Sequence, residues 1–231
     1  MTTHNLFQYD RMLLYRSAPD TLRVIGESTT SHDTWDAHAA LSDSFSLAYK
    51  DAIVQCRKLI VEYKELASFD VVDRAHFVPN VESLMLNGCV RLTHANVACA
   101  NITALSIAGT ALTDAIFAQI RPQQHMRLVD VSNTRNITYV PCAETINAGH
   151  SLVTTILPGT VPIVRLVAND SRLTTVQASP STSTILWAYP GKTLTITGGS
   201  SNLTVLTPHE TSDVICNADV SVLRMSYYGE Y

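Results

Sequence analysis

The chain is short of charge. Of its 231 residues only 16% are Asp, Glu, Lys or Arg, against about a quarter in an average soluble protein. Such a chain either hides much of its surface or offers some of it to a partner. It also lacks a basic excess: the net charge is −4 and no basic stripe occurs, which argues against a nucleic-acid footprint. No apolar run reaches the roughly 18 residues of a membrane span, so no transmembrane helix is expected. The N-terminus, M-T-T-H-N-L-F-Q-Y-D-R-M-L-L-Y-R, lacks the charged start, apolar core and small-residue cleavage site of a secretory signal. An intracellular protein, cytoplasmic or organellar and not secreted, is the expectation.

Chemistry-bearing motifs are missing too. The five cysteines, Cys56, Cys89, Cys99, Cys142 and Cys216, are odd in number and form no C-x-x-C pair, which suits free, buried thiols in a reducing compartment. Four N-x-[S/T] sequons, at Asn101, Asn136, Asn169 and Asn202, read as a by-product of a Thr-rich chain. There is no H-E-x-x-H, no Cys/His ligand cluster and no G-x-S-x-G elbow. The G-K-T ending at Thr193 lacks the earlier glycine of a phosphate-cradling loop, because position 186 is Leu, so it reads as a turn. No catalytic residue, metal or cofactor is expected.

What is present is an internal repeat. V-E-S-L-M-L-N-G-C-V-R-L-T from Val81 and N-I-T-A-L-S-I-A-G-T-A-L-T from Asn101 superpose with a period of about 21 residues. Val81, Leu84, Leu86 and Cys89 fall on Ile102, Leu105, Ile107 and Thr110. In each L-x-L the two apolar residues point to one side of a short strand and the middle one to the other. The Cys or Thr that follows sits where the chain leaves the strand, where its side chain can bond the turn backbone. One coil cannot bury its own apolar face, so coils must stack.

The pattern resembles the leucine-rich repeat, L-x-x-L-x-L-x-x-[N/C]-x-L, in the cysteine-containing form of F-box proteins, most clearly over residues 77–138. The resemblance implies an α/β solenoid: a horseshoe of parallel strands whose concave sheet binds other proteins. Residues 1–55 fall outside it. Ser44 to Gln55 has helical spacing and suits an N-terminal helical cap; a separate partner-binding segment is the rival. Residues 56–231 form the solenoid, with strand cores near 84, 105, 129, 155, 166, 185, 204 and 223, about eight irregular coils. The step from 155 to 166 is too short and implies either a very short coil or a hairpin. Charge changes near Phe77: residues 1–75 hold 19 of the 36 charged residues. Short helices are expected at Thr113 to Ile120 and Ala143 to Ala148. After 157 the connections are rich in Ser, Thr, Gly and Pro and favour turns and extended chain. The rear half should therefore be thinner and β-rich, with a right-handed parallel β-helix as the alternative for residues 150–231.

The outward strand positions read Met85, Ser106, Asp130, Ile156, Leu186 and Arg224, with Leu166 beside them; these are the candidate partner-binding residues. Only Asp130 and Arg224 are charged. They lie about four coils, or roughly 20 Å, apart, too far for shared acid–base work. Ile156, Leu166 and Leu186 would make an apolar strip, and such a strip marks an interface. The expected function is a non-enzymatic protein-interaction or scaffold subunit of a larger assembly, whose partners are other protein subunits. The alternatives are a substrate-recognition adaptor of a ubiquitin ligase, although residues 1–55 hold no recognisable F-box, and a β-helix carbohydrate-active protein.

Overall fold

A computed structural model of the chain describes residues 4–9, 12–26, 34–36, 56–70, 80–97, 101–120, 125–207, 213–216 and 221–224. The chain divides into two compact units, Met1–Gln124 and His125–Tyr231. Both are β-solenoids of parallel coils with almost no helix.

The first unit opens with an antiparallel meander, β1 (His4–Tyr9), β2 (Met12–Ala18) and β3 (Thr21–Gly26). From β3 the pairing turns parallel, through β5 (Lys58–Glu62) and β7 (Ser83–Met85) to β9 (Ala104–Ser106). A second sheet runs β4 (Thr34–Asp36), β6 (Ser68–Asp70), β8 (His94–Asn96). The period-two alternation decides what is inside. Leu22, Leu59, Leu84 and Leu105 are register partners in succession, and all four are buried. Burying side chains of this size contributes about 1.5–3 kcal/mol each.

The second unit repeats the parallel arrangement. Its main sheet is β10 (Leu128–Asp130), β12 (Thr145–Asn147), β14 (Arg165–Asn169), β16 (Thr184–Ala188), β18 (Thr204–Thr207) and β20 (Ser221–Arg224). The other side of the coils carries β11 (Tyr139–Val140) with β13 (Thr155–Ile156), and β15 (Thr175–Ala178) with β17 (Thr193–Gly198) and β19 (Asp213–Cys216). Val129, Ile146, Leu166, Ile185 and Val205 form one inward ladder and are fully buried. In the next inward row Ala168 lies level with Trp187. The small residue leaves room for the indole, which is fully buried and donates its N–H to the Leu173 carbonyl at 3.0 Å.

A buried hydroxyl marks four of the strand exits. Thr110 Oγ1 donates to the Ile107 carbonyl (2.8 Å), Thr134 Oγ1 to Val131 (2.6 Å), Ser151 Oγ to Ala148 (2.6 Å) and Ser171 Oγ to Ala168 (2.9 Å). Cys89 holds the same position, but its Sγ–H reaches the Val61 carbonyl of the preceding coil at 3.5 Å. These bonds satisfy carbonyls that the bend takes out of the ladder, away from water.

Several expectations are corrected. The described residues before 56 are strands, not a helical cap; Ser44 to Gln55 lies outside the described residues. The far side of the coils is strand rather than helix, so the coils are not those of an α/β solenoid. The expected helix at Thr113 to Ile120 is a 3-10 helix, Asp114–Gln119, and the one at Ala143 to Ala148 is strand β12. The irregular step disappears with it. The coil core is Ile146, not Thr155, and Ile146 to Leu166 is a regular step of 20 residues. Two alanines, Ala143 and Ala148, occupy apolar positions there, which made the strand look weak beside L-V-T-T-I-L.

Candidate interaction face

The outward side of each main sheet follows from its register. In the first unit Ile60, Met85 and Ser106 are successive partners. Met85 is half-buried on that side. Ser106 is not a surface residue: it is 2% exposed and donates to Asn87 Oδ1 at 2.6 Å, an oxygen that also accepts the Ala108 N–H at 3.3 Å. Asn87, in the turn after β7 on the preceding coil, covers the serine.

In the second unit one outward row reads Asp130, Asn147, Val167, Leu186 and Leu206. Beside it runs Leu128, Thr145, Arg165, Thr184 and Thr204. Asp130 is turned to its own loop, its Oδ1 accepting the Ser132 N–H (3.0 Å) and hydroxyl (2.8 Å). Val167, Leu186 and Leu206 are half-buried neighbours, one coil apart. At about 4.8 Å per strand they form a continuous apolar strip, rimmed by Thr184, Thr204 and the exposed Arg165.

The proposed row therefore keeps Met85, Asp130 and Leu186 and loses the others. Leu166 is fully buried, because it partners Ile146 and Ile185 on the inward ladder. Ile156 lies in β13, on the other sheet. Arg224 partners Thr207, one position beyond the Leu206–Leu223 pair, and so falls on the opposite parity. Val167 and Leu206 were missed. Each is the middle residue of an inward-x-inward triplet, L-V-A and V-L-T, and that alternation was the signal to find them.

Ile156 lines a second feature. The far-side strands β13 and β15 belong to successive coils but to different sheets. Where the sheet splits, residues 157–163 border an open groove of about 580 Å3, with Cys142, Gln177 and Pro180 on its walls. The loop is held down by the Cys142 thiol, which donates to the Val161 carbonyl at 3.0 Å. A Cβ on Gly159 would come within 2.7 Å of Cys142 Cβ, so only glycine fits there. Burial pushes this thiol above the ordinary range, against the lowering effect of the Ala143 backbone hydrogen bond. Among the described residues no cluster of three or more His, Cys, Asp or Glu side chains is arranged to hold a metal ion. No described helix is long and apolar enough to cross a membrane.

Comparison with protein-family models, with curated proteins and with solved structures returns no significant match.

Proposed function

We propose that the chain is a non-enzymatic protein-interaction or scaffold subunit, docking a partner protein on the outward face of the main sheet in His125–Tyr231. The observation that carries this reading is the strip of Val167, Leu186 and Leu206, half-buried side chains in a row where a solvated sheet face alternates to polar residues. Arg165, Thr184 and Thr204 rim it, as polar groups rim an apolar interface core. The test is a double variant, Leu186→Lys with Leu206→Lys. Both side chains point away from the core, so the melting temperature should hold while co-purification of the partner from native extract is lost. Unchanged co-purification overturns the reading. Ligase subunits among the proteins recovered would identify the partner as that of a ubiquitin-ligase adaptor.

One observation favours a carbohydrate-binding role instead. The outer face of β15 and β17 is a threonine surface, with Thr175 and Thr195 as register partners and Thr193 and Thr197 to either side along β17. Such hydroxyls can bond sugar hydroxyls. Glycan binding that survives the Leu186/Leu206 double variant and is lost on Thr195→Val would select this role.

A further inference from the structure

Two cations meet at a corner of the second unit, away from the apolar strip. The turn from β14 to β15 presents Ser171 to Thr174, and the turn from β16 to β17 presents Tyr189 to Lys192. Together they line a cavity of about 340 Å3. The strands that flank these turns pair coil to coil, Asn169 with Ala188 before them and Thr175 with Thr195 after them, so Arg172 and Lys192 sit on adjacent coils.

The corner is rigid beneath them. The Asp170 N–H donates to the Ala188 carbonyl at 2.7 Å, and the Thr195 N–H to the Thr174 carbonyl at 2.8 Å, tying the two turns together. The Trp187 indole holds the Leu173 carbonyl from below at 3.0 Å. Ser171 is committed inward to Ala168. Arg172 and Lys192 are both exposed, and among the described residues neither side chain makes an ion pair or hydrogen bond. Among the described residues, the carboxylates along the neighbouring coils are engaged elsewhere or set to one side. Asp170 pairs with His150 Nδ1 at 3.1 Å, and Asp213 lies beside Thr193 in the register.

Two like charges on adjacent coils repel each other, and among the described residues no carboxylate pairs with either of them. An oxyanion would. The planar guanidinium can hold two of its oxygens side by side, and the ammonium adds a point charge from the next coil. The Thr174 hydroxyl and the Tyr189 ring complete the walls. We infer that this corner is a binding site for a small tetrahedral oxyanion group, a phosphate or sulfate ester. The site is independent of the sheet-face interaction.

The experiment is an NMR titration of the full chain, reading backbone amides, with inorganic phosphate and then inorganic sulfate at an ionic strength held constant with chloride. Saturable shifts confined to residues 171–174 and 189–192 are expected with the oxyanions and not with chloride. Arg172→Gln and Lys192→Gln should each weaken binding roughly tenfold, as losing one charged hydrogen bond does. The double variant should abolish binding. Repeating the titration with a phosphate ester and a sulfate ester of one sugar identifies which source the site prefers. Both side chains are exposed, so the variants should keep the parent melting temperature. Shifts that chloride reproduces, shifts that do not saturate, or a double variant that binds like the parent would each overturn the inference.

Discussion

Ser151→Ala removes two hydrogen bonds and almost no volume. The Ser151 side chain is 3% exposed. Its hydroxyl donates to the Ala148 carbonyl at 2.6 Å and its oxygen accepts the Val153 N–H at 3.3 Å. Losing the donated bond costs about 1 kcal/mol net, and leaving the buried Val153 N–H without its acceptor costs about 1–3 kcal/mol more. A destabilisation of about 2–4 kcal/mol follows. Ser151→Thr keeps the hydroxyl, and Thr110 and Thr134 fill the equivalent position in other coils with their hydroxyls intact. It should cost under about 1 kcal/mol, the added methyl offsetting part of any crowding. The assay is urea unfolding followed by Trp187 emission in a Trp35→Phe background, so that the signal comes from the unit containing Ser151. With a slope of about 2 kcal/mol per molar urea, the alanine variant should lower the midpoint by about 1–2 M at unchanged slope. A neutral Ser151→Ala together with a damaging Ser151→Thr would refute the reasoning. Packing volume, and not the hydroxyl bond, would then govern the strand exit.

Leu105→Ala should cost about 2–5 kcal/mol by thermal melting, since Leu105 is fully buried between coils and its loss leaves a cavity. Leu166→Asp should abolish folding, read as loss of the β-sheet circular-dichroism signal, because the carboxylate would enter the inward ladder unpaired; a folded Leu166→Asp protein would put Leu166 back on the surface. Under native alkylation followed by mass spectrometry Cys89 should label more slowly than Cys216, as burial, with a smaller push from Glu62 and against the lowering effect of the Tyr63 backbone bond, raises its thiol pKa, and it is fully buried. The sign for stability follows. Because the folded-state pKa values of Cys89, Cys142 and Cys216 are raised, their contribution is complete below the unfolded thiol value of about 8.5 and is lost as pH climbs past it through the folded values. Melting temperatures should therefore be level from about pH 7 to 8 and fall at higher pH, and a Cys89→Ala variant should fall less steeply.

The clear repeats were legible because their inward positions carry large aliphatic side chains. Leu84, Leu86, Leu105, Ile107, Val129 and Val131 announce both the strand and its parity, and all are buried. The strand-exit role of Cys89, Thr110 and Thr134 was legible too, since only a polar group at that spacing can reach the carbonyl. Where the same positions hold Ala143, Ala148 and Ser151, hydropathy no longer separates core from loop, and L-V-T-T-I-L offered a stronger but false match. A register is set by stacking on neighbouring coils, and one sequence window cannot report which of two apolar runs its neighbours select. The helical far side failed for a related reason. The leucine-rich spacing specifies only the strand and its exit, and the return segment is decided by its own residues. Here those are Thr, Val, Tyr and Ser, which fit a pleated surface.

The candidate face shows how a one-residue error propagates. Side chains alternate with a period of two, so misplacing one coil flips every later assignment that depends on it. Leu166 was taken as outward, and Arg224 as aligned with the row, although their register partners are Ile146 and Thr207. Leu186 was correctly placed because its triplet, I-L-W, is flanked by unmistakable core residues. The apolar strip on the rear half survives with Val167 and Leu206 in place of Leu166 and Ile156. Its persistence is physical rather than fortuitous. The strands after Ile163 are nearly continuous apolar runs, R-L-V-A and T-I-L-W, and a strand of that composition must present an apolar side chain on both faces. Only one of those faces is the core of its own coil. The basic corner stayed hidden for a different reason. Arg172 and Lys192 are 20 residues apart in sequence, and neither sits in a motif. Only the stacking of successive coils makes them neighbours.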